Sequence, residues 1–73
     1  MTKQELMVEM EGRISGSRGD RRGTLEAALQ SIDHGAYTEA RFFLVEGFCF
    51  DEADLLNEYV DGHDCSGFVP GWN

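Results

Sequence analysis

His63, Asp64 and Cys65 sit within three consecutive positions, and Cys49 and His34 add a second thiol and a second imidazole. These residue types bind zinc or build a thiol nucleophile. Structural zinc sites use paired ligands at spacings such as C-x2-C, and positions 49, 63 and 65 match no such set. No metal and no cofactor is expected. A cysteine nucleophile needs a base that a third group orients, and nothing in the sequence shows that His34 or His63 approaches either thiol. The run GRISGSRG over 12–19 has the glycines of a phosphate-binding loop without its closing Lys-Ser/Thr pair. The chain therefore reads as a protein without catalytic residues. Its two cysteines allow at most one bridge, Cys49–Cys65, which a reducing compartment leaves open.

The carboxylates are more informative. Fourteen acids against six Lys+Arg give a net charge of −8. Residues 1–23 hold five cations and four acids, whereas residues 24–73 hold ten acids and only Arg41. Direct binding to a nucleic-acid backbone, which needs clustered cations, is disfavoured. An anionic membrane surface is disfavoured for the same reason. Asp51, Asp54, Glu58 and Asp61 step by three, four and three residues, so on a helix they share one narrow arc opposite Leu56 and Val60. They would be spaced about 5–6 Å apart along about 15 Å of helix. Like charges at these steps cost a few tenths of a kcal/mol per pair, and no Lys or Arg follows Arg41 to relieve them. A solvated helix face with two acids at its favourable amino end explains Asp51 and Asp54. Glu58 and Asp61 remain unaccounted for by that reading.

Those acids need a helix to align them, and the sequence supplies four. Thr2 with Glu5 makes a capping box for the first, whose apolar face is Leu6, Met7, Met10 and Ile14. The stretch 12–23 holds four glycines and four arginines, and its later part reads as a flexible basic loop, free or wrapped back onto the acidic half. Thr24 can cap a second helix with Leu25, Ala28, Leu29 and Ile32 inward, stopped by His34-Gly35. A third runs from about Tyr37 to Glu46, with Ala40, Phe43 and Leu44 inward. Phe42 and Val45 make it apolar over most of its girth, so it should be central, or else its spare face should meet a partner or a second copy. Asp51 can cap a fourth helix over 52–60, with Phe50 stapled onto Leu55 and with Ala53, Leu55, Leu56, Tyr59 and Val60 inward. Gly62 would end it. An irregular tail over 62–73 would lay Phe68, Val69 and Trp72 across the helices. The expectation is one small all-α domain over 1–73, a bundle of about four short helices. A chain this short buries only about 60% of its unfolded surface. No apolar run approaches the roughly 18 residues of a membrane span, and the opening MTKQE lacks the pattern of a secretory signal.

Within 25–47 the spacing of Ala28, Gly35, Tyr37 and Ala40, followed by Leu44, resembles one tetratricopeptide-type helical hairpin. In that family a small residue precedes the turn glycine by seven positions, an aromatic follows by two, and an alanine by three more. The family's usual first-helix Trp and closing Pro are absent here, and such repeats stack in about threes. The resemblance implies an antiparallel hairpin and an adapter that binds a peptide or helix through an apolar groove.

In size and charge the chain also resembles small phage-encoded acidic inhibitors of the anti-CRISPR and anti-restriction kind, without a shared motif. That resemblance implies a non-enzymatic inhibitor in a host cytoplasm, imitating nucleic acid toward a basic nucleic-acid-binding protein. The expected contacts are Glu46, Asp51, Asp54, Glu58, Asp61 and Asp64, with Phe42, Tyr59 and Trp72 as apolar anchors. A monomer or a homodimer is compatible with this reading.

Overall fold

Thr2 closes the first helix as its sequence predicts. Its hydroxyl accepts from the Glu5 N–H at 3.1 Å, and the Glu5 carboxylate accepts from the Thr2 N–H at 2.8 Å. A computed structural model describes residues 1–61 as four helices: α1 (Lys3–Ser15), α2 (Gly19–Asp33), α3 (Tyr37–Glu46) and α4 (Phe50–Asp61). The fold is an all-α bundle, with no strand among the described residues. Each helix packs on the next in the chain, and α4 closes the ring against α1.

The core is the set of residues that recur at three- and four-residue steps. Leu6, Met10 and Ile14 of α1 meet Leu25, Ala28 and Ile32 of α2, Ala40 and Leu44 of α3, and Ala53, Leu56 and Val60 of α4. Gly35 turns the chain between α2 and α3 at φ 78, a left-handed backbone that glycine adopts at little cost.

Gly47 ends α3 for a different reason. A Cβ at that position would lie 2.5 Å from Thr24 Cγ2 and 2.8 Å from Thr24 Oγ1. Thr24 is short and β-branched, so it has little room to give. Gly47→Ala is expected to destabilise the fold by about 1–3 kcal/mol through overpacking. Thr24→Ala in the same chain should restore most of the loss, as read by urea denaturation. Equal stability of Gly47→Ala and the parent chain would contradict this close approach.

Four expectations are corrected here. The stretch 12–23 is not a flexible loop: α1 runs through Ser15 and α2 begins at Gly19, with only Gly16–Arg18 between them. Glycine and serine weaken local helix propensity, but Arg13 and Arg21 are tied to α4 and hold both helix ends in place. Thr24 lies within α2 rather than at its start. Asp51 does not cap α4, which begins at Phe50, and the Cys49 carbonyl accepts from the Ala53 N–H at 3.0 Å. Phe50 is 54% exposed and so does not act as a buried staple on Leu55. The expected helix stop at Gly62 and the aromatic tail over 62–73, with Asp64, Cys65 and Trp72, lie outside the described residues.

Candidate functional site

Asp51, Asp54, Glu58 and Asp61 are all exposed on α4, while Leu56 and Val60 of the opposite side are buried. Glu58 and Asp61 fall in the last turn, which contains no basic residue. Carboxylates there oppose the partial negative charge of the helix end. None of the four enters an ion pair among the described residues. Four of the six Lys and Arg are engaged elsewhere: Arg22 with Glu26 at 3.0 Å, Arg13 and Arg21 with Glu52, and Lys3 with the Asp33 carbonyl at 2.9 Å.

Glu52 is the residue that reading along the sequence passed over. Its side chain is 1% exposed, and each carboxylate oxygen accepts from one arginine: Oε2 from Arg13 Nη1 at 3.0 Å, Oε1 from Arg21 Nη2 at 2.8 Å. The signal was present on the helical wheel. At 100° per residue Glu52 falls between Tyr59 and Leu56, on the buried side of α4. A carboxylate there requires cations, and the arginines of 12–23 are the nearest unassigned supply. The basic segment does fold back onto the acidic half, but onto this one acid and not onto the ridge.

Cys49 adjoins this cluster. It is buried, and Arg21 Nη1 donates to its Sγ at 3.5 Å while the thiol lies 3.6 Å from the Gly47 carbonyl. Burial pushes its thiol pKa up, the Arg21 charge pulls it down, and Glu52 pushes it up again. The net direction is upward, which favours the inert thiol over a nucleophilic thiolate. Among the described residues no three His, Cys, Asp or Glu side chains converge as metal ligands.

The apolar residues of the surface are distributed differently from expectation. Tyr59 is not an anchor: it is buried, with its ring 5.6 Å from that of Tyr37. Phe42 is 53% exposed and Val45 lies beside it on the outer face of α3. Glu46 is exposed at the end of the same helix. Two further aromatics stand at the surface: Phe48, which the sequence reading passed over, and Phe50, which it expected to pack on Leu55. Phe48 and Phe50 are exposed at the α3–α4 corner, with ring centroids 6.0 Å apart and edge to face. Phe50 lies on the same side of α4 as Asp54 and Asp61, within about 40° on the wheel, so this corner continues the acidic ridge. The depression between α2 and α3 is lined by Gln30, Ser31, His34 and Glu39 besides Ala27 and Phe43, a mixed surface and not an apolar groove.

No protein-family model, curated protein or solved structure matches this chain. No helix of the described residues is long and apolar enough to cross a membrane.

Proposed function

We propose that the chain is a non-enzymatic protein-binding inhibitor. It presents the outer face of α4 to a cationic, nucleic-acid-binding protein and competes there with the natural polyanion. One observation carries the reading: four carboxylates stand exposed in a line with no ion pair among the described residues, while Arg13, Arg21 and Arg22 are engaged with other acids. The spacing of about 5–6 Å along that line is comparable to phosphates along a strand. A rigid anionic surface speeds encounter with a Lys/Arg-lined groove, and apolar neighbours slow release. Asp51, Asp54, Glu58 and Asp61 are the electrostatic contacts, with Glu46 at the adjoining end of α3.

Affinity capture with mass spectrometry tests this at about 0.1 M and about 1 M salt, between which the screening length falls from about 10 Å to about 3 Å. Capture of a basic nucleic-acid-binding protein at low salt, and its loss at high salt, is the expected result. Capture that ignores salt and disappears with Phe42→Ser would replace the reading with that of an adapter using the outer face of α3, whose Phe42 and Val45 are exposed.

A further inference from the structure

Phe48 combines two unfavourable features. Its ring is 78% exposed, and its backbone adopts φ 59, a left-handed conformation that bulky side chains rarely occupy. Glycine or asparagine at this position would remove both at once. The neighbouring Phe50 is also more than half exposed, and its ring meets that of Phe48 at 76°. The outer faces of the two rings are thus offered to solvent at a corner whose flanks carry the exposed carboxylates Glu46, Asp51 and Asp54.

We infer that this corner is an arginine-reading contact, in which a guanidinium of the partner lies over the ring of Phe48, the more exposed of the two, while the flanking carboxylates accept its N–H groups. The inference rests on the proposed function and names the group on the partner that the surface selects. Charge decides between possible occupants. A second copy of the chain, itself at −8, would bring the same acids against each other. An anionic lipid surface would be repelled in the same way. A cationic protein segment is complementary. Among cations, arginine is planar, weakly hydrated and able to stack on an aromatic face while its fork bonds a carboxylate. The lysine ammonium is a compact, strongly hydrated point charge that gains less from a ring.

The test is an NMR titration of the full chain with hexa-arginine and hexa-lysine peptides. Both should shift the Asp54–Asp61 signals through charge alone. The arginine peptide should bind about fivefold more tightly and should also shift the rings of Phe48 and Phe50. Phe48→Leu, which keeps an apolar side chain and removes the π face, should erase that preference and leave the lysine affinity unchanged. Equal affinities for the two peptides, indifferent to Phe48→Leu, would overturn the inference and leave the acidic-surface reading standing. Failure of both peptides to bind would overturn both. Concentration-dependent dimerisation through the corner would overturn the inference by showing a different occupant. So would contacts between Phe48 and Trp72 of the same chain that persist when arginine peptide is added.

Discussion

Replacing Arg13 and Arg21 together with alanine should destabilise the chain severely, whereas Glu52→Met should cost far less. The two changes remove the same pair of ion contacts but leave different orphans. Glu52 is buried, and without its arginines it is an uncompensated carboxylate in the core; breaking a buried pair in this sense costs about 3–5 kcal/mol. The arginine side chains are 38% and 46% exposed, so without Glu52 they return to water with a smaller penalty. At about 0.05–0.15 kcal/mol per residue, a chain of this length has a total stability of about 4–11 kcal/mol. The arginine deletion therefore removes from about a quarter of the stability to all of it. Glu52→Met fills the site with an apolar side chain and should be mild, because apolar replacement of a buried pair is often neutral. Adding Glu52→Met to the double arginine variant should rescue it. Urea denaturation followed by helical circular dichroism gives all three values. Equal losses in the arginine and glutamate variants, without rescue, would mean that the cluster is not held as an ion pair.

Reversing Asp54, Glu58 and Asp61 to lysine should have the opposite profile. The 54/58 and 58/61 steps stay like-charged, now as lysines, but the 51/54 step becomes an opposite-charge pair. Cations also replace acids in the last turn of α4, so stability should be unchanged or slightly raised. Partner affinity should fall on the order of 100-fold, since about 1 kcal/mol is lost at each of three reversed contacts. Most of the fall should appear as slower association at low salt. Thermal unfolding and surface-binding kinetics on the same preparation separate the two effects. A stable variant with unchanged affinity would remove α4 from the interface.

The helices were legible where local chemistry decides them. Thr2 and Glu5 announce the start of α1, the steps Leu6, Met10 and Ile14 define its buried face, and Gly35 and Gly47 bracket α3. The ridge was legible too, because helix geometry alone places Asp51, Asp54, Glu58 and Asp61 on one arc. What could not be read depended on contacts between distant segments. The first turn of α2 is glycine-rich and basic, and it looks mobile until Glu52 is seen to hold Arg21 across the bundle. Tyr59 was legible as an inward residue of α4, but its contact with the Tyr37 ring, which takes it out of any interface, was not. Phe48 has no sequence signature at all. A left-handed phenylalanine is the outcome of joining α3 to α4 over a short turn, and nothing in the neighbouring residues foretells it.

An inhibitor of this kind must put its α4 face in the place of a nucleic acid. The direct measurement loads the captured partner with a fluorescent nucleic-acid strand and adds the chain at increasing concentration while anisotropy is followed. Release of the strand, with a midpoint that moves upward in proportion to the nucleic-acid concentration, is the predicted result. A ternary complex in which strand and chain are held together, with anisotropy rising rather than falling, would contradict it.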